Sequence, residues 1–276
     1  KDQKESKEMF AKRLGDGNNY ATLIKSLLQS AIDELSGEMV GLCEQAEFFG
    51  ADYSQLYQTF VDEVNMVVSE IYSPPRITRA ARMLPKLGIT PGFALDLTVN
   101  DEDGQPWDFT KDDKKRRAME LTIETEPDLV TGSPPCTDFS PWQRLNKAMS
   151  PNPEKYVQSK EKAVEHLKFT CDVYKLQHRS GRLFLHEHPA QATSWSLREV
   201  KMLAEEQGVD IYDADQCMYG LKTWGTSKSE LVPARKPTNF MTNSRALGRE
   251  LAKKCSGAHK HQSLVDERAS HAARYP

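Results

Sequence analysis

The sequence predicts an α/β fold: a mainly parallel sheet with helices on both faces, preceded by a small helical appendage. Three observations carry that expectation. From residue 65 onward, short apolar runs alternate with stretches of helical periodicity, the pattern of successive βαβ units. Before residue 65 such runs are scarce and the texture is helical. Of the 276 residues, 38% are hydrophobic and 28% charged, enough apolar material to bury a core in one large domain plus an appendage, or in two small domains.

The elements follow in order. Residues 22–35 place Leu23, Leu27, Leu28, Ala31, Ile32 and Leu35 at helical spacing, closed by Ser36-Gly37, and a second helix is expected near Gln55–Val64. Residues 1–64 therefore form the appendage. In the expected domain, 65–243, strands are predicted at 65–72, 92–97, 128–131, 183–186, 209–212 and 239–242. Helices are predicted at 78–87, 112–121, 153–179 and 196–207. Residues 222–231 read as a polar loop. Residues 244–276 read as a basic tail, continuing a segment, Arg235–Lys260, in which seven Lys and Arg oppose Glu250 alone. Open α/β sheets place their sites beyond the carboxyl ends of strands, so the chemistry is sought there.

Composition narrows the function classes. A net charge of -3 argues against an extensive nucleic-acid coat but allows a local basic cleft. Five scattered cysteines without a Cys-x-x-Cys pair point to a reducing compartment, nuclear or cytoplasmic, rather than to a disulfide scaffold. No run approaches the ~18 apolar residues of a membrane helix, so no membrane partner is expected. The start, Lys1-Asp2-Gln3, offers neither Met nor an apolar leader and reads as a fragment of something longer.

Two strand ends carry the chemistry. The first runs Asp128-Leu-Val-Thr-Gly-Ser-Pro-Pro-Cys136: an apolar strand enters a turn stiffened by Pro134 and Pro135, and the turn delivers a thiol. A rigid loop suits a nucleophile, and nearby cations or helix amides would lower its pKa; the plain alternative is an inert buried cysteine. The second is Leu183-Phe-Leu-His-Glu-His-Pro189. Alternation puts His186 and His188 on one face and Glu187 on the other. Glu187 reads as a proton donor or hydrogen-bond anchor; the competing readings are a metal site on the His-x-His pair, as in a metal hydrolase, and a solvated strand end.

Together these stretches resemble the cytosine carbon-5 DNA methyltransferase family. Pro135-Cys136-Thr137-Asp138-Phe139-Ser140 is similar to its Pro-Cys-Gln-x-Phe-Ser motif, and Phe184-Leu185-His186-Glu187-His188 takes the place of its Phe-x-Glu-Asn-Val motif, in the right order. The resemblance covers roughly residues 66–243. It implies a Rossmann-like class I methyltransferase sheet, S-adenosylmethionine as cofactor and DNA as partner. Cys136 would add to cytosine carbon 6, and Glu187 would hold ring nitrogen 3. The base would be flipped from the duplex.

The same resemblance places the cofactor upstream, on Glu70, Tyr72 and Ser73 after the first strand, on Asp96 at the end of the second, and on Trp107 and Asp108, with Ser133 and Pro134 from the thiol turn. Asp96 would grip the ribose, Asp108 the adenine amine, and Trp107 the adenine ring. Pro74-Pro75 stands where the family carries glycines, removing N–H donors. Either the cofactor binds in a modified way, or the chain is a catalytically degenerate module that binds nucleic acid or acts as a scaffold.

Downstream, residues 233–243 resemble the family's basic loop and antiparallel seventh strand. Arg235, with Lys236 beside it, is the candidate to touch the base or its phosphate, against a solvated basic turn. The usual target-recognition domain is nearly missing, so recognition is expected to need a partner protein or a parent polyprotein. The Ser-Pro-Pro-Arg, Ser-Pro-x-Cys and His-Glu-His-Pro strings also resemble those of mobile-element reading frames. No metal is assigned to the catalytic site. Cys255-x3-His259-x-His261 is half a zinc spacing, with Cys217 as a further candidate, against a chance scatter of such residues.

Overall fold

Strand β1 (Met66–Ile71) is buried along almost its whole length, as expected of a strand covered on both faces. It pairs in parallel with β2 (Ile89–Leu95) on one side and β3 (Leu129–Gly132) on the other, and β3 pairs in parallel with β4 (Leu183–Pro189). The computed structural model describes residues 66–83, 89–227, 230–265 and 268–269. The appendage expected over 1–64 lies outside them, as do residues 84–88 at the end of the predicted 78–87 helix.

The remaining elements are α1 (Ile77–Met83), α2 (Asp112–Thr125), α3 (Gln143–Met149), α4 (Pro153–Arg179), α5 (Arg198–Ala204), β5 (Asp210–Asp215), the hairpin β6 (Lys222–Trp224) and β7 (Leu231–Pro233), β8 (Pro237–Thr242) and α6 (Arg245–Leu251). The main sheet has the order β2-β1-β3-β4-β8-β5. Strand β8 runs antiparallel between β4 and β5. The sheet is thus mixed, with five strands in one direction and a single reversed strand inside it.

Helices cover both faces. On one side Phe109, Ala118, Leu167, Tyr174 and Leu203 pack on Ile71, Val130, Phe184 and Met241; on the other, Ala80, Ala81, Leu247 and Leu251 pack on Met66, Val68, Leu129, Leu185 and Phe240. Alternation along β4 sends Phe184 to the α4 side and Leu183 and Leu185 to the α1–α6 side. Burying one such aliphatic or aromatic side chain contributes about 1.5–3 kcal/mol.

Local signals set the long helix. Asn152 caps α4 by accepting from the Lys155 amide at 3.3 Å, and Pro153 takes the first helical position, where its missing N–H costs nothing. Buried Ala163, Leu167, Thr170, Val173, Tyr174 and Gln177 line one face. Gln177 Nε2 then donates to the carbonyls of Pro127 (2.7 Å) and Leu183 (3.1 Å), tying the helix to the strands on either side of it. Gly132, the last residue of β3, has no side chain for a steric reason: a Cβ there would collide with the Tyr174 hydroxyl.

Three features differ from the sequence expectation. The polar loop expected over 222–231 is the hairpin β6–β7. The stretch after Ser244 is not a bare tail: Ser244 caps α6 by accepting from the Leu247 amide at 3.2 Å, and residues beyond the helix return to the fold. Asp215 N donates to Lys253 O at 3.0 Å, and Gln262 N to Pro233 O at 3.0 Å. Strand β8 starts at Pro237 rather than at 239, because its first residues pair with Asp215 and Ala214 of β5. No helix among the described residues is long and apolar enough to cross a membrane.

Candidate active site

Parallel pairing sets Gly132, the end of β3, beside His186 of β4. Pro134 and Pro135 then carry the chain off the sheet, and Cys136 enters a short 3-10 turn, Thr137–Phe139. Fully buried Phe139 anchors that turn. Lys160 of α4 braces it from outside: its Nζ donates to Asp138 O and Thr193 Oγ1, each at 3.0 Å, and lies 3.7 Å above the Phe139 ring. Burial lowers the proton affinity of this lysine. The thiol therefore sits on a turn held from the strand, the helix and the following loop.

Glu187 arrives from the neighbouring strand end. His186 and His188 share the opposite face, stacked at 5.5 Å and 21°, and both meet Trp195 nearly edge-on. His188 Nδ1 bonds Ser194 Oγ at 2.6 Å, whereas both ring nitrogens of His186 have no hydrogen-bond partner among the described residues. Burial holds His186 far below the usual imidazole range and pushes His188 down to about 4. Both rings are neutral packing elements at physiological pH. Among the described residues this pair gathers no third ligand, so the metal-hydrolase reading has no ligand set here.

The third member comes from the loop before β8. Because β8 is antiparallel to β4, its start lies beyond the carboxyl end of β4: Pro189 pairs with Thr238, and Ala190 N donates to Pro237 O at 3.0 Å. This brings Lys236 to the thiol. Burial lowers the Lys236 ammonium, while Glu187 and Cys136 raise it and Arg76 lowers it. The Cys136 thiol is in turn raised, chiefly by burial and further by Glu187, with Lys236 opposing. Three groups from three separate segments thus feel one another's charge.

Two sequence expectations bear on this cluster. The sequence left the thiol between activation by nearby cations or helix amides and burial as an inert cysteine; desolvation outweighs the opposing Lys236 cation and a backbone hydrogen bond, so the thiol is raised. Arg235, the candidate base or phosphate contact, is exposed, as the alternative of a solvated basic turn has it, and donates from Nε to Asp215 Oδ1 at 3.1 Å. Neighbouring residues of an extended segment point to opposite sides, so Lys236 takes the inward position. Arg76, directly after Pro74-Pro75, and Lys160 were not anticipated; Arg76 stood in the departing loop and had a signal, whereas Lys160 is one of many lysines on a helix surface.

The cofactor candidates fall into two groups. Glu70, Tyr72 and Trp107 are turned into the protein. The fully buried Glu70 carboxylate accepts from the amides of Arg76 (2.8 Å) and Thr78 (2.9 Å) and from the hydroxyls of Thr78 (2.7 Å) and Ser73 (3.0 Å). It braces its own loop and is not a free cofactor contact. Tyr72 has a left-handed φ of 54° and a hydroxyl bonded to His166 Nδ1 at 3.0 Å, with its ring on Phe109 and Phe169. Burial raises that phenol far above its ordinary range. Trp107 belongs to the core, 6% exposed, with Lys114 over its ring, so it has no open face for an adenine.

Asp96 and Asp108 remain half-exposed. Asp96 Oδ1 accepts from Thr98, and Asp108 Oδ1 from Thr110, amide and hydroxyl in each case. The Thr110 bonds hold the Asp108 carboxyl below its ordinary range against its partial desolvation. Ser133 and Pro134 lie in the thiol turn, Pro134 buried and Ser133 half-buried.

Elsewhere the structure gathers Cys217, Cys255, His259 and His261, with their ligand atoms all within 4.8 Å of one another. The half-site spacing noted in the sequence is thus completed by a cysteine from a distant turn. No protein-family model matches the chain, and a search of curated proteins finds no match.

Proposed function

We propose that this chain is a Rossmann-like class I methyltransferase that transfers a methyl group to carbon 5 of cytosine in DNA. The observation that carries the proposal is the convergence of Cys136, Glu187 and Lys236 at adjacent strand ends. The strand order supports it, since a single reversed strand between two co-directional ones fits the class I methyltransferase sheet that the sequence resemblance implies. In this reading the Cys136 thiolate adds to cytosine carbon 6, making carbon 5 nucleophilic. Glu187 holds ring nitrogen 3, and the Lys236 cation stabilises the thiolate and the charge that develops in the adduct. Because burial raises the thiol, addition to carbon 6 requires that its proton leave to water while the Lys236 cation holds the thiolate; after the methyl group joins carbon 5, the carbon-5 proton is lost to a base and the thiolate leaves carbon 6.

S-adenosylmethionine supplies the methyl group when bound. Asp96 and Asp108, the half-exposed carboxylates beyond β2, are the residues fitted to hold its nucleoside. The inward-turned Glu70 and the Pro74-Pro75 loop favour a second reading: a degenerate module that keeps the fold and binds nucleic acid without methylating it. The two readings part on two measurements. Duplex DNA carrying 5-fluorocytosine, incubated with S-adenosylmethionine, should yield a denaturation-resistant adduct with the wild-type chain and none with Cys136→Ser. Absence of any adduct overturns the methyl-transfer reading. Calorimetry that detects no S-adenosylmethionine binding favours the degenerate module.

A further inference from the structure

We infer that Cys217, Cys255, His259 and His261 form a structural zinc site that clasps the segment after α6 to the turn after β5. The inference does not depend on the methyl-transfer reading. Cys217 lies in the 3-10 turn Gln216–Tyr219 that follows β5; the other three follow α6. Cys255 Sγ lies 3.6 Å from His259 Nε2 and 3.4 Å from His261 Nε2. A tetrahedral ion with zinc–sulfur bonds near 2.3 Å and zinc–nitrogen bonds near 2.0 Å holds sulfur and nitrogen about 3.5 Å apart. Both imidazoles therefore already stand at the edges of such a tetrahedron, each presenting the same ring nitrogen.

The surroundings fit a metal site rather than a chance cluster. The Gly257 amide donates to Cys255 Sγ at 3.3 Å, the kind of outer contact that orients a thiolate ligand. Buried Asp215 accepts from the Cys255 amide at 2.9 Å and from Arg235 Nε at 3.1 Å, fixing the ligand backbone and placing a cation beside the two sulfurs. The segment also needs an anchor. Residues 252–261 contain Lys253, Lys254, Ser256, Gly257 and Lys260, and the nearby apolar cluster among the described residues is Leu221 and Ala234 with Leu264 packed on it. Where a core is this small, a structural metal commonly supplies the missing free energy. Two thiolates and two imidazoles select zinc over hard cations, and four protein ligands leave no position open for substrate.

The site reaches the thiol edge through the backbone. Gln216, next to Cys217, donates its amide to Lys236 O at 3.3 Å, and Arg235 is held by Asp215. The zinc site thus braces the loop that presents Lys236.

Elemental analysis of the whole chain, purified without chelator under reducing conditions, should find about one zinc per chain. Cys255→Ser and His261→Asn should each lose the metal and lower Tm, whereas Cys136→Ser should retain it. If those variants fail to fold, cobalt exchange into the wild-type chain serves instead, with the visible bands and thiolate charge transfer of tetrahedral cobalt as the expected signature. Metal-free wild-type chain with no cobalt spectrum overturns the inference, and so does full zinc occupancy in both ligand variants.

Discussion

The carboxyl edge of the sheet divides into two halves built from the same kind of element and used differently. At β3 and β4 the strand ends send a thiol and a carboxylate toward each other, and a lysine from the antiparallel strand's approach joins them. At β1 and β2 the corresponding polar and aromatic groups turn inward: Glu70 binds its own loop, Tyr72 joins an aromatic cluster, and Trp107 sits in the core. The first half has groups poised against one another; the second has groups already engaged. What separates them is proline placement. Pro134 and Pro135 lift Cys136 clear of the sheet, whereas Pro74 and Pro75 precede Arg76 and Thr78, whose amides the buried Glu70 collects.

The largest expected effect tests that contrast directly. Glu187→Gln should slow adduct formation by about 10²–10⁴-fold, while Asp96→Asn and Asp108→Asn should each weaken S-adenosylmethionine binding by about tenfold or less. Equal effects from both halves would erase the distinction, and a Glu187→Gln chain that reacts like wild type would remove the carboxylate from the mechanism.

A second test concerns the packing beneath the thiol edge. His188 titrates at about 4 in the folded chain because burial disfavours its cation, whereas unfolded histidine titrates near 6.5. The folded state therefore binds fewer protons than the unfolded one between these values, and stability rises with pH across them. Its contribution is complete above about pH 6.5 and lost as pH falls toward 4, on the order of 3 kcal/mol, with His186 adding in the same direction. Thermal unfolding followed over that window should show the acid slope, and His188→Gln should flatten it; an unchanged slope would mean that the ring is not buried as described.

The smallest effect is the sharpest probe of the three-group cluster. Alkylation of Cys136 should have its pH midpoint above that of an ordinary thiol. Glu187→Gln removes a nearby negative charge and should move the midpoint down; Lys236→Met removes the opposing cation and should move it up. Shifts of the same sign in both variants would show that the charges do not converge.

Much of this was legible in the sequence, for identifiable reasons. The helix Pro153–Arg179 carries its own cap, a proline at its first position and an apolar stripe, so its ends follow from local chemistry. The strands at 66–71 and 129–132 are short apolar runs next to turn residues. Cys136 and Glu187 stood at strand ends, where α/β sheets carry function. The hairpin Lys222–Pro233 was illegible because its strands are three residues each, too short to show an alternating pattern. The roles of Arg235 and Lys236 were illegible too, because two adjacent basic residues differ only in which side of the backbone they leave.

Local pattern thus determined the alternation of strands and helices, the long capped helix, and the delivery of a thiol and a carboxylate at two strand ends. These depend on neighbours within a few residues, where propensity, capping and periodicity act. The tertiary structure alone decided that Lys236 rather than Arg235 meets Glu187, that desolvation raises the Cys136 thiol, that Glu70 and Trp107 are engaged internally, and that Cys217 joins three ligands 38 to 44 residues later in the chain. Each of those depends on burial and on contacts between distant segments, which exist only once the sheet has brought its strand ends together.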